Sequence, residues 1–490
     1  MLQTEYIVAY DQGTSGVKAA IVGMDGALIA CASGTYPLYR PKASYAEQDP
    51  EEYWAAICDA TAKVVLKAQV DPSKARGMVF GAIWKSVIPV DKDIRPLRRS
   101  IIWLDSRAVK EADEINKRIG EDWYLPMDYW PKLLWLYRNE PEIYDRAYKI
   151  IGVNSYLGWK ATGNLATNIS DSFVFAHSPA QQEIYDRALS GTGITKDKFV
   201  DWVSSSAEVG KLTAKAADEL GLRAGIPVFA GSGDIQAIAI GSGGGIPGKV
   251  HAYFGSSGWM GVVSPFGEPW PKLSPLNEQY NVNIAGMKVG LALNWLVEQL
   301  YNQEKASMGD GVMAYIDQEA GKIPAGSEGL LSIPFLYGGP HGGDYRNERA
   351  TFFNLKDVHT RAHMIRALME GICMAMRMIN IPKLEQTDPS QGICAVGGGA
   401  CSDPWMQILA NVVNMPVEVP YNTRHVGAVG AAYHALIGLG IFDDYAQAAA
   451  NVRVEKTFYP KEAAVGLYKD RYEGMLALRE ALKAVYKNKG

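Results

Sequence analysis

The sequence predicts an α/β protein made of two similar halves. Three observations carry this. Short β-branched and aromatic runs alternate with helical stretches along the whole chain. The chain opens as strand, turn, strand, turn, strand before its first helix. A strand closing on a cluster of small residues then returns in the second half. At 490 residues the chain is too long for one hydrophobic core, and two large units fit its length.

Glu5 to Tyr10 is an apolar run that stops at Asp11, and Lys18 to Val22 resumes it. Met24-Asp25-Gly26-Ala27 supplies a turn before Leu28 to Ser33. Asp49 as N-cap and Pro50 at the first position open a helix, on which Tyr53, Trp54, Ile57, Ala60, Val64 and Val65 keep the helical period. Gly77 to Ile83 reads as a buried strand. In the second half Lys249 to Phe254 is a strand, Arg361 to Met378 a helix and Gly392 to Val396 a strand. The densest Gly/Pro punctuation, Gly241 to Gly248, sets the expected boundary, giving domains 1–246 and 247–490. Lys461 to Lys487 carries mixed charge and reads as a solvated helix.

Composition excludes several classes of function. Hydrophobic residues are 48% and charged residues 21%, with a net charge of −4, so there is no electrostatic footprint for nucleic acid or anionic lipid. The five cysteines are an odd number without a C-x-x-C pair, which argues against a disulfide framework and a structural zinc site. The opening residues lack a basic and apolar leader, and the expected compartment is the cytoplasm. The longest apolar stretch, Gly427 to Phe442, holds His434 and falls short of the ~20 residues that span a bilayer, so it reads as a buried helix. A small-molecule partner follows, with a homodimer as the base-rate oligomer.

Fifty glycines fall in clusters that suit close approach of backbone to a ligand. Asp11, Gln12, Gly13, Thr14 and Ser15 form a turn between strands whose N–H and hydroxyl groups could meet phosphate, with Asp11 a candidate for Mg²⁺. A plain hairpin turn with an Asx interaction is the competing reading. Gly255, Ser256, Ser257 and Gly258 follow a strand in the same way, as do Gly397 to Ser402. Three such loops fit a nucleotide gripped by two lobes. A dinucleotide fingerprint fails because Ile246 and Ser402 occupy the last glycine place. A P-loop over Gly243 to Lys249 fails because Val250 replaces Ser/Thr and Pro247 lacks an N–H. Asp234 stands between a strand and a short apolar helix, as N-cap or as catalytic base. His359 and His363 are four apart, without the glutamate of a zinc helix, and read as solvated or capping.

Taken in order, several stretches resemble the FGGY carbohydrate kinase family, and the xylulokinase branch most. They are Asp11 to Lys18, Ala46 to Pro50, Ile102 to Arg107, Lys132 to Leu136, Gly231 to Asp234, Gly255 to Gly258, Gly397 to Ala400 with Trp405-Met406-Gln407, and Gly427 to Ala432. The resemblance implies two actin-like, ribonuclease-H-like domains closing over ATP and a sugar. It implies ATP with Mg²⁺, the metal at Asp11 and Asp234, and Asp234 as the base that takes the sugar hydroxyl's proton. It places Asp11 to Ser15 and Gly255 to Gly258 at the phosphates, and Gly398, Gly399, Ala400 and Asp403 at the adenosine. Trp84, Lys85, Trp103, Asp234 and Ile235 would contact the sugar. The implied reaction is phosphorylation of a sugar hydroxyl, with a ketopentose such as xylulose as acceptor. Glycerol, another polyol or a sugar acid is the alternative, and a non-catalytic actin-like ATPase a third. The chain departs from the family where Ile83-Trp84-Lys85-Ser86 replaces Gln-Met-His-Gly and where Ile235 replaces Asn or Gln. Lys85 either reads the substrate or is structural. The loop Gly338 to Asp344 also lacks the family's Gly-Glu-Arg pattern.

Overall fold

In the computed structural model, residues 4–172, 174–175, 178–265, 274–339, 347–385 and 387–487 are described. The run Tyr-Ile-Val-Ala-Tyr is apolar throughout because its strand, β1 (Tyr6–Gln12), is buried on both faces inside a six-stranded sheet. β2 (Gly16–Gly23) and β3 (Leu28–Thr35) meander antiparallel from it. Helix α1 (Pro50–Ala68) follows, its first turn held by the Asp49 carboxylate accepting from the Glu51 N–H at 3.0 Å. β4 (Ala75–Ala82) then runs parallel to β1. After α2 (Val153–Thr162) and the edge strand β5 (Glu208–Lys211), β6 (Pro227–Gly233) pairs parallel with β4 and leads into α3 (Asp234–Gly241). The order across the sheet is β5-β6-β4-β1-β2-β3.

A second sheet repeats this plan. Its strands are β7 (Val250–Phe254), β8 (Gly258–Pro265), β9 (Ser274–Pro275), β10 (Tyr280–Met287), β11 (Ile393–Val396), β12 (Val417–Pro420) and β13 (Val454–Phe458), in the order β9-β10-β8-β7-β11-β12-β13. β8 is antiparallel to β7, β11 parallel to β7, β12 parallel to β11, and β13 antiparallel on the edge. The helices are α4 (Gly290–Leu300), α5 (Arg361–Leu384), α6 (Asp403–Val413), α7 (Val426–Gly438) and α8 (Glu462–Lys487). Both sheets follow the ribonuclease-H-like order, as expected for the α/β class.

The division of the chain differs from a single cut. By contact, one unit comprises 1–247, 263–283 and 425–451, and the other 248–262, 284–424 and 452–490. The first crossing falls in the Gly/Pro-rich stretch, but two later segments return to the first unit. The physical reason at α7 is close packing on α3. A Cβ on Gly430 would lie 1.9 Å from the Ala237 carbonyl oxygen, and one on Gly241 would lie 2.0 Å from that of Val426. Glycines distant in sequence therefore let two helices touch along their backbones. Elsewhere α5 runs six residues beyond the expected Met378, through Pro382. The helix α8 is not wholly solvated, since it buries Tyr468, Tyr472 and Met475.

Gly430→Ala must push these helices apart, and the expected loss is about 1–3 kcal/mol of stability, read as a lower urea midpoint at unchanged slope. Gly474→Ala, where nothing lies within 4 Å of the added methyl, is the control and should hold or raise the midpoint.

Candidate active site

Parallel strands bring their carboxyl ends to one edge of the first sheet. Asp11 of β1 faces Gly81 of β4, and Gly233 of β6 faces Ala82. The residues that follow these positions, Gly13 to Ser15, Ile83 to Lys85 and Asp234, are thereby neighbours at the strand ends, the usual place for a ligand in such sheets. Asp11 lies inside β1 rather than beyond it, because pairing continues through Gln12.

The turn after β1 is held from several sides. Gly13 N–H donates to the Gly16 carbonyl at 3.0 Å. Gln12 donates to the Tyr36 hydroxyl at 2.8 Å and accepts from the Ile83 N–H at 3.1 Å, while the Tyr36 hydroxyl donates to the Gly13 carbonyl. Gln48 donates to the Thr14 carbonyl at 2.7 Å, and the Trp103 indole donates to the Thr14 hydroxyl at 2.8 Å. No Asx interaction from Asp11 is needed to shape this hairpin. Asp11 is instead buried beside the Lys18 ammonium at 3.2 Å, with Gly427 of α7 so close that a Cβ there would sit 2.8 Å from the carboxyl carbon.

Asp234 is the first residue of α3, and Gly233 takes the N-cap place without any side-chain cap. The N-cap reading is thereby corrected. Its Oδ1 accepts the N–H of Ile235 at 3.0 Å and of Trp84 at 3.3 Å. Surrounding protein and the nearby Asp11 push its carboxyl up to about 7, against the pull of those amides. Trp84 is locked by its indole N–H on the Ser170 carbonyl at 2.7 Å. Lys85 has a left-handed backbone (φ +60) and its ammonium lies 4.3 Å over the Trp84 ring and 2.5 Å from Asp128. One face of Trp84 thus meets a cation, where the sequence suggests a sugar face. Ile235 is half-buried beside Asp234.

Sequence reasoning passed over three groups at this edge. Asp171 is buried, neither of its oxygens has a hydrogen-bond partner among the described residues, and burial with the neighbouring Asp234 pushes it up to about 8. Lys132 is fully buried, donates to the carbonyls of Lys85 and of Ile102 (3.2 Å for the latter), and burial lowers it to about 7. His434, held neutral by burial, joins the Ser232 hydroxyl at 3.0 Å to the Tyr445 hydroxyl at 2.8 Å. Lys132 lies in one of the family-like stretches, but only the fold shows what it holds.

In the second unit the glycine loops also follow parallel strands. Gly255 N–H donates to the Ser257 carbonyl, and the Gly255 and Ser256 carbonyls accept from Gly290 and Leu291 at the start of α4. A side chain on Gly258 would strike Val289. Gly397 to Ala400 lie beside Phe254, and Gly398 faces open space. Ala400 is buried, and Asp403 is exposed in the first turn of α6, paired with Lys456 at 2.8 Å. His363 caps its helix with Thr360, and His359 is half-buried, accepting the Lys356 N–H at 3.0 Å. Among the described residues no three His, Cys, Asp or Glu are arranged to hold a metal. Most of the loop Gly338 to Asp344, from Pro340 on, lies outside the described residues.

Residues 6–241 match the N-terminal domain, and 272–439 the C-terminal domain, of the FGGY family of carbohydrate kinases. The chain belongs to that family. This carbohydrate kinase is 28% identical to the xylulose kinase of Bacillus subtilis (strain 168), with 99% of this chain and 100% of the relative covered. It is 27% identical to the gluconokinase of Bacillus licheniformis, covering 99% and 97%. The crystal structure of gluconate kinase from Lactobacillus acidophilus shares the fold, with a TM-score of 0.85, 23% identity and 100% of both chains covered. No helix among the described residues is long and apolar enough to cross a membrane.

Asp171 makes stability depend on pH in a defined direction. Its carboxyl is raised from the usual 3.8 to about 8, so its favourable state is fully present below the unfolded value and is lost as pH rises through 8. Asp171→Asn removes that loss. The variant should gain in melting temperature over the parent by more at pH 9 than at pH 5, and an equal difference at both would show that the carboxyl is not buried alone.

Proposed function

We propose that this kinase transfers the γ-phosphoryl group of ATP to a hydroxyl of a neutral sugar of the ketopentose class, such as xylulose, with Asp234 as general base. The observation that carries this reading is Asp234 itself: Oδ1 is tied to two backbone N–H groups at a strand end, beside Trp84, Lys85 and Asp11. Fixing Oδ1 leaves Oδ2 to take the proton as the sugar oxygen attacks. Raised to about 7, the carboxyl matches a base working near neutral pH. The protein's task is otherwise to orient and to offset charge.

The N–H and hydroxyl groups of Gly13, Thr14 and Ser15 are assigned to the phosphates, as are Gly255 to Gly258 in the other unit. Gly398, Gly399 and Ala400 are assigned to the adenosine, with Gly398 open to a ligand. Asp403, assigned beside them, is paired with Lys456 at 2.8 Å. Two carboxylates with hard oxygens, Asp11 and Asp234, suit Mg²⁺, which keeps waters and phosphate oxygens for its other places. Bound there, the ion would neutralise phosphate charge.

A neutral acceptor is favoured over a sugar acid by Lys85. Its charge is already matched by Asp128 at 2.5 Å, so a substrate carboxylate would compete with a buried partner. Trp103, hydrogen-bonded to Thr14, would stand where sugar and phosphate meet.

Coupled ADP release across pentuloses, polyols and sugar acids tests the substrate class, with the highest kcat/KM expected for a neutral ketopentose. Lys85→Met should leave that preference in place, whereas a strong parental preference for an aldonate that this variant loses would favour the sugar acid. Asp234→Asn should lower kcat by on the order of 10²–10⁴. In the parent, kcat/KM should fall as pH drops below about 7, because the base becomes protonated. Full activity of folded Asp234→Asn would end the assignment.

A further inference from the structure

Resting on the reading of the Asp234 edge as the acceptor site, we infer that Asp171 is a second acceptor-binding carboxyl, taking hydrogen bonds from hydroxyl groups of the sugar. Three other buried acids are well engaged. Asp105 accepts from the Ala46 N–H at 2.6 Å and from the Arg107 N–H and guanidinium. Glu370 accepts from Gly326, Ser327, Arg366 and Tyr468, and Glu348 is forked by Arg479. Asp171 alone of these has two buried oxygens with no donor among the described residues. A carboxyl left so in a folded interior is costly, and a structural role would have recruited an N–H or a cation.

Its position says what it waits for. The preceding residue, Ser170, takes the Trp84 indole N–H on its carbonyl and the Gly233 N–H on its hydroxyl at 2.8 Å. Asp171 is therefore bolted into the frame that carries Trp84 and Asp234. Asn168 fixes the turn by accepting the N–H groups of both Ser170 and Asp171. Gly152 clears space on one side, since a Cβ there would come within 2.9 Å of Oδ2. The carboxyl does not join a cluster of three metal-ligating side chains. What remains is a ligand rich in O–H donors, and a polyhydroxylated acceptor is that ligand. A sugar hydroxyl satisfies an otherwise unpaired oxygen, so an analogue lacking it leaves the penalty in place.

The test is a cycle between enzyme and substrate. Parent, Asp171→Asn and Asp171→Ala enzymes are assayed with the best acceptor of the panel and with its deoxy analogues, each lacking one hydroxyl. Thermal melts and circular dichroism establish that each variant folds, and Asp171→Asn keeps the side-chain volume if alanine does not. The parent should lose on the order of 10- to 100-fold in kcat/KM on at least one analogue. On that same analogue the alanine variant should lose under threefold, having nothing left to be unsatisfied. Parent and variants discriminating equally across all analogues would overturn the assignment and leave the kinase reading intact. A parent that phosphorylates no sugar of the panel would overturn both.

Discussion

Carboxyl groups held in the interior with few partners are the constraint around which the first unit is organised. Among the described residues Asp171 has no donor, Asp234 has backbone amides, and Asp11 has a single partly exposed lysine. Such groups cost folding energy unless a ligand completes them. The neighbouring charges are, in contrast, closed off. Glu47 is shared by Arg98 and Arg107 at the latter's 2.6 Å contact, and Asp105 also pairs with Arg107. Lys85 is tied to Asp128. Asp171 and Asp234 thus lie with few partners at one edge of one sheet, where parallel strands converge. The raised carboxyls of Asp234 and Asp171 express a cost in folding energy.

Several motif stretches act as scaffolding rather than as chemistry. Glu47 and Gln48 pair with Ile101 and Ser100 as a short antiparallel ladder. From that ladder Gln48 reaches the Thr14 carbonyl. Arg107 stacks on the rings of Tyr45 and Trp135, at 3.7 and 4.6 Å, and pairs with Glu47, linking three of the stretches. Lys132 ties the Lys85 and Ile102 carbonyls together from below. Hydrogen bonds in such a dry network are strong when complete and expensive when broken. The phosphate-type turn and the Trp84–Lys85 wall are thus held to a common frame.

The opening strands, the Asp49 cap and the small-residue loops were legible because each rests on local chemistry: periodicity, a cap residue, a small side chain after a strand. Asp234 could be singled out, but only the backbone shows that the cap place falls to Gly233. Asp171 was not legible. Its meaning depends on which donors are missing, and absence of a partner is a three-dimensional fact. The return of 425–451 to the first unit was hidden for a related reason. Gly430 reads as one small residue among many until α3 lies against it.

The wall formed by residues 83–86 explains why substrate cannot be transferred from relatives by a single residue. Lys85 occupies a left-handed backbone, a conformation that side chains with a Cβ rarely hold without support. Support comes from Lys132 on its carbonyl, from Asp128 on its ammonium and from the Trp84 ring beneath it. The ammonium is therefore spent on shaping the wall, and Trp84 is spent likewise through Ser170. Placing the family's histidine at 85 would leave Asp128 without its lysine and would expose the Trp84 ring. The change would remake the wall rather than restore a contact.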